Sequence, residues 1–96
     1  MEKITIREIA DWVGGSLTGC ENVEIDNITT DSRKGGSGTL FIAIKGERFD
    51  GNDFAEAFLE HGEAVLTERA VNLTDGKTAI VVGDTKKALR DLAKHY

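Results

Sequence analysis

Three short runs, Leu40–Ile44, Ala64–Thr67 and Thr78–Val82, constrain the fold of this 96-residue chain more than any other feature. The first is continuously apolar and short enough to be a strand buried on both faces, and the other two read as short buried strands. Helical patterns lie between and around them. Thr5 with Glu8 forms a capping box, after which Ile6, Ile9, Ala10 and Val13 share one face, and Gly14-Gly15 stops the helix. Asp53 is expected to cap a second helix with Phe54, Ala57 and Phe58 on one side and His61-Gly62 at its end. Gly83-Asp84 opens a third, in which Ala88, Leu89, Leu92, Ala93 and Tyr96 keep helical spacing. Helices alternating with short buried strands predict an α/β fold: a single small domain, a short mixed sheet with helices packed on it.

The remaining segments are less regular. From Ser16 to Asp31 the period is two, with Val23 and Ile25 alternating with Glu24 and Asp26 and the pattern restarting at Ile28, as in one half-buried strand with an irregularity. Lys34–Gly38 and Lys45–Asn52 read as loops and Asp75-Gly76 as a turn. Trp12 sits off the first helix's apolar stripe and reads as edge packing. The chain has 11 glycines and no proline, so glycine does most of the turning. Helical spacing is intact at Tyr96, which predicts a piece of a longer chain cut at a domain junction; a helix that simply ends is the alternative.

Composition removes several classes of function. With 12 Lys+Arg against 17 Asp+Glu, the net charge of −5 argues against nonspecific binding to nucleic acid. Hydrophobic residues at 40% and charged ones at 30% fit a folded domain. No apolar run approaches the ~20 residues that span a bilayer, so no membrane insertion is expected. The start Met1-Glu2-Lys3-Ile4-Thr5 lacks signal-peptide character, which predicts a cytoplasmic protein. A single cysteine, Cys20, excludes an internal disulfide and a multi-cysteine metal site.

Most candidate chemistry reduces to structure. Gly76-Lys77-Thr78 looks like the end of a phosphate-binding P-loop, but Val71 stands where the motif needs glycine, and a strand follows instead of a helix. Gly35-Gly36-Ser37-Gly38 has the composition to cradle a phosphate, yet it precedes a strand and reads as a flexible connection. His61 and His95 lack neighbouring ligands, and Cys20 lacks a partner. No catalytic residue and no metal ligand is assigned. The informative residues are Thr30, Asp31, Ser32 and Arg33, with Lys45, Gly46, Glu47, Arg48, Phe49 and Asp50, at the polar ends of buried strands. Between Asp31 and Asp50 the cations Arg33, Lys34, Lys45 and Arg48 outnumber Asp31, Glu47 and Asp50, which suits an anionic ligand. Ser32 and Thr30 are able to hydrogen-bond a base edge or a ribose, and Phe49 to pack on a flat ring. Two ordinary surface loops with an Asp31–Arg33 salt bridge explain the same residues equally well.

The strings Thr29-Thr30-Asp31-Ser32-Arg33, Gly38–Gly51, Asp53-Phe54-Ala55 and Val82–Leu89 resemble the N-terminal domain of the Mur ligases over nearly the whole chain. Gly46-Glu47-Arg48-Phe49-Asp50-Gly51 is more similar to the members that add D-alanyl-D-alanine than to those that add the third residue of the peptide stem. The resemblance implies that residues 1–96 hold the uridine diphosphate of a UDP-linked muramoyl peptide. Central ATP-binding and C-terminal domains would be absent from this chain and belong to a longer enzyme, which ATP and Mg²⁺ would serve in peptidoglycan synthesis. It places Ser32 and Glu47-Arg48-Phe49 against uracil and ribose, with Thr30, Asp31 and Arg33 shaping the pocket and Lys45 toward the diphosphate. Asn52 stands where a histidine is common, and Glu63 where an alanine usually follows glycine; the second reads as a packing variation. This piece alone is expected to bind UDP weakly and to catalyse nothing. A stand-alone interaction module, or the corresponding domain of a third-residue-adding ligase, are the alternatives.

Overall fold

Local hydrogen bonding sets the helix ends. The computed structural model describes residues 2–46 and 50–95. Helix α1 (Ile6–Val13) starts at Thr5, whose hydroxyl oxygen accepts from the Glu8 N–H at 3.2 Å and donates to the Glu8 carboxylate at 3.3 Å. The second half of the expected capping box is thus a contact between side chains. Gly14, at φ 65°, ends α1 in a left-handed conformation that costs glycine nothing. The second helix departs from expectation. Asp50, not Asp53, provides the cap, and a 3₁₀ turn (Gly51–Phe54) precedes a four-residue α2 (Ala55–Phe58). The tighter turn shifts the helical phase, so Ala55, Phe58 and Leu59 face inward while Phe54 and Ala57 are exposed. Helix α3 (Thr85–Ala93) is capped by Asp84, whose carboxylate accepts from the N–H groups of Lys86 and Lys87; it stops at Ala93, short of the spacing expected to run to Tyr96, which lies outside the described residues.

Among the described residues, seven strands form two sheets: β1 (Ile4–Thr5), β2 (Ser16–Gly19), β3 (Glu24–Ile25), β4 (Asn27–Thr29), β5 (Thr39–Ile42), β6 (Ala64–Thr67) and β7 (Thr78–Val81). The main sheet has the order β2-β7-β6-β5-β4, mixed because β2 is antiparallel to β7 and the other pairs are parallel. The expected single strand around Val23–Ile28 is in fact two. β3 pairs with β1 in a small antiparallel sheet, whereas β4 joins the main one. The break is pinned where the N–H groups of Asp26 and Asn27 both donate to the Gly38 carbonyl, at 2.9 and 3.2 Å.

The apolar runs are explained by what covers each face. Leu40, Ile42, Ala64, Leu66, Ile80 and Val82 pack with Ile6, Ile9 and Ala10 of α1 and Ala88 and Leu92 of α3. Phe41, Ala43, Val65 and Ala79, at the alternate positions, pack with Ala55, Phe58 and Leu59. Both faces of the central strands are covered by apolar side chains, which is why the runs do not alternate with charged residues. Among the described residues no helix is long and apolar enough to cross a membrane.

Candidate functional site

Because β4 and β5 run parallel, their exits lie at one edge of the sheet, where open α/β folds bind ligands. One exit is the loop Thr30–Arg33; the other runs through Ile44 to Lys45, which pairs with Asp50 in an isolated antiparallel bridge. The chain then returns hard against its own strand exit. The Gly51 N–H donates to the Ile44 carbonyl at 2.9 Å, and a Cβ at Gly51 would stand 2.8 Å from both the nitrogen and the oxygen of Ile44. Only glycine tolerates that approach. Between the loop and the turn lies a cleft of about 540 Å³, with Thr30, Asp31, Ser32 and Arg33 on one side and Phe41, Ile44, Gly51 and Phe54 on the other.

Local bonds give the polar wall its shape. The Asp31 N–H donates to Thr29 Oγ1 at 3.1 Å, and the Arg33 N–H donates to Asp31 Oδ1 at 3.0 Å. The Arg33 guanidinium grips the same carboxylate with two bonds, at 3.0 and 3.1 Å. Its side-chain bond, and then its N–H, hold the Asp31 carboxyl down at about 2, and Asp31 in turn raises Arg33. The ion pair that the sequence allows is therefore formed, and it stands in the cleft wall. The hydroxyls of Thr30 and Ser32 have no hydrogen-bond partner among the described residues. Asp50 is engaged by its own turn: its Oδ1 accepts from the Asn52 N–H at 2.9 Å and from Nδ2 at 2.7 Å. The side-chain amide first, and then the N–H, lower its pKa.

Of the residues singled out from sequence, Thr30, Asp31, Ser32 and Arg33 come together on the cleft, and Lys45, Gly46 and Asp50 flank it. Glu47, Arg48 and Phe49 lie outside the described residues. Phe41, Ile44 and Phe54 were not singled out from sequence, whereas Gly51 was, as the turn that closes the stretch Lys45–Gly51. The first two sit in an apolar run and carry no separate signal; Phe54, 42% exposed, was masked by the misplaced helix start.

The rejected motifs have structural roles. Lys77 Nζ donates to the Gly62 carbonyl at 2.8 Å, and Thr78 lies in β7. In the glycine-rich loop, Ser37 Oγ and the Gly38 N–H donate to the Glu63 carboxylate at 2.8 and 3.1 Å, while the Gly36 N–H donates to Thr39 Oγ1. Glu63 is thus a hydrogen-bonding anchor and not the packing variation expected. The His61 ring meets Phe58 edge-on at 4.8 Å, and His95 stacks on Trp12 at 4.2 Å. Among the described residues no three His, Cys, Asp or Glu side chains gather to hold a metal ion.

Residues 24–96 match the Mur ligase family, catalytic domain. The chain belongs to the Mur ligase family. All of it aligns with the UDP-N-acetylmuramoyl-tripeptide--D-alanyl-D-alanine ligase of Bacillus subtilis at 44% identity, covering 22% of that Mur ligase. A diaminopimelate-adding family member, the UDP-N-acetylmuramoyl-L-alanyl-D-glutamate--2,6-diaminopimelate ligase of Parabacteroides distasonis, is 35% identical over 93% of the chain and 20% of its own length. In three dimensions, MurF from Acinetobacter baumannii superposes with a TM-score of 0.84 at 33% identity, over 96% of this chain and 20% of that one. This Mur ligase chain therefore spans about a fifth of the length of the relatives it matches.

Proposed function

We propose that this chain binds the uridine diphosphate end of UDP-N-acetylmuramoyl-tripeptide, as the N-terminal part of an ATP-dependent cytoplasmic ligase that adds D-alanyl-D-alanine to a peptidoglycan precursor. The observation that carries this reading is the cleft at the shared exit of β4 and β5. Its polar wall offers the hydroxyls of Thr30 and Ser32, its opposite wall the apolar surfaces of Ile44 and Phe54, and its volume falls within the range of small-molecule sites. A pyrimidine needs a flat apolar contact and a few hydrogen bonds to its edge; the ribose needs hydroxyl partners. Lys34 and Lys45, on the loops flanking the cleft, supply positive charge for the diphosphate. Lys77 and Thr78 serve the fold, through the Gly62 carbonyl and strand β7, and in this reading ATP and Mg²⁺ are bound by other parts of the longer enzyme.

Titrating UDP into the ¹⁵N-labelled chain tests the reading. Amide shifts are expected at Ser32, Arg33, Arg48, Phe49, Gly51 and Phe54, saturating in the millimolar range because part of the natural substrate is absent. ATP is expected to leave these amides unmoved. No shift at millimolar UDP would sink the proposal. The 35% identity to a diaminopimelate-adding relative supports a second reading, in which the same pocket serves a third-residue-adding ligase. Assaying the full-length enzyme with D-alanyl-D-alanine and with diaminopimelate separates the two.

A further inference from the structure

We infer that Asn52 is the positioning residue of the cleft, an inference that rests on reading the cleft as the uridine diphosphate site. Asn52 is absent from the cleft lining, yet its neighbour Gly51 and, two residues on, Phe54 form one wall. Both belong to one 3₁₀ turn, Gly51–Phe54, an element with poor intrinsic hydrogen-bond geometry that gains from external support. Asn52 provides it. Its side chain is buried, 7% exposed, and both ends of the amide are used. Nδ2 donates to Asp50 Oδ1 at 2.7 Å, and Oδ1 accepts from the Glu68 N–H at 2.8 Å.

Glu68 is itself anchored. It follows β6 directly, and its carboxylate accepts from the Thr85 N–H at 2.9 Å and the Thr85 hydroxyl at 3.2 Å, at the first residue of α3. The path Asp50–Asn52–Glu68–Thr85 thus ties the cleft wall to the end of a central strand and to a helix start. The chemistry demands an amide-like group at residue 52, one donor and one acceptor at opposite ends. Aspartate would lack the donor and place a second carboxylate against Asp50. Alanine would leave the Glu68 N–H without its acceptor.

The test compares Asn52→Ala, Asn52→Asp and Asn52→His in the 96-residue chain by amide hydrogen exchange and UDP titration. A neutral imidazole keeps one donor and one acceptor, so histidine is the conservative variant. Asn52→Ala and Asn52→Asp are expected to speed exchange at Gly51 and Glu68 about tenfold or more while Leu66 and Ile80 keep their protection, and to weaken UDP binding about tenfold. Asn52→His is expected to stay within about threefold of the parent in both readouts. A merely structural role would instead lower protection at Gly51 and Ile80 in parallel, and that result overturns the inference. So does unchanged exchange at Gly51 in both the alanine and the aspartate variants. If the parent chain binds no UDP, the nucleotide reading falls, and the exchange pattern alone decides whether Asn52 holds the wall.

Discussion

Asp31 shows how one residue serves both the fold and the cleft. Arg33 approaches it twice, through the guanidinium fork and through the main-chain N–H, and the carboxyl is held at about 2, below the ordinary aspartate value of roughly 3.9. A depressed pKa means that the fold favours the ionised form. The stabilisation is complete above the ordinary value and fades as pH falls from about 4 through about 2. Following the Asp31 carboxyl carbon by NMR is expected to give a midpoint near 2, and Arg33→Ala to raise it toward the ordinary value without fully reaching it, because the N–H at residue 33 remains. A parent midpoint near 3.9 would mean that the ion pair does not form in solution. The same variant is expected to weaken UDP binding, since an uncompensated Asp31 would then face the anionic ligand.

Elements make the division between legible and illegible parts concrete. Helix α3 was readable down to its cap, because Asp84 binds the N–H groups two and three residues ahead, a purely local interaction. Asp84→Ala is expected to cost about 1 kcal/mol, measured as a lower urea midpoint with an unchanged slope. An unchanged midpoint would show that the cap adds nothing beyond packing. Strands β5, β6 and β7 were readable for a different reason: being covered on both faces, they cannot alternate with polar residues. Where partners are distant in sequence, the pattern misled. Val23–Ile28 has the period of one strand, but the Gly38 carbonyl takes two successive N–H groups and sends β3 and β4 to different sheets. Asp53 looks like a helix cap, yet its carboxylate pairs with Arg69, and Asp50 caps the 3₁₀ turn. The cleft divides likewise. Thr30–Arg33 stood out as polar residues at a strand exit and Gly51 as a turn point, whereas Phe41 and Ile44 were hidden in an apolar run and the approach of Gly51 to Ile44 is a tertiary contact.

For the whole molecule, the arrangement of layers determines how stability is shared. One sheet separates two apolar clusters: α1 and α3 cover one face, and α2 covers the other, where Phe58 packs on Phe41 with ring centroids 5.3 Å apart. Successive residues of β5, Leu40, Phe41 and Ile42, belong alternately to the two clusters, so neither can loosen without disturbing the same backbone. Truncating Phe58 on the α2 face should therefore be felt on the α1–α3 face as well. Trp12, the chain's one tryptophan, lies in α1, packs against the opposite cluster and stacks on His95, so its fluorescence reports the far side. Phe58→Ala is expected to destabilise by about 3–5 kcal/mol, because the buried ring leaves a cavity in a tightly packed layer. If the molecule is one cooperative unit, the urea midpoint seen by Trp12 fluorescence and the midpoint seen by far-ultraviolet circular dichroism fall together and by the same amount. A Trp12 midpoint that stays put while the dichroism splits into two steps would show that the clusters unfold separately. The cleft wall rests on the α2 side, through Phe41 and the turn at Gly51–Phe54, so coupling across the sheet would also make UDP affinity sensitive to packing among α1, α3 and the sheet.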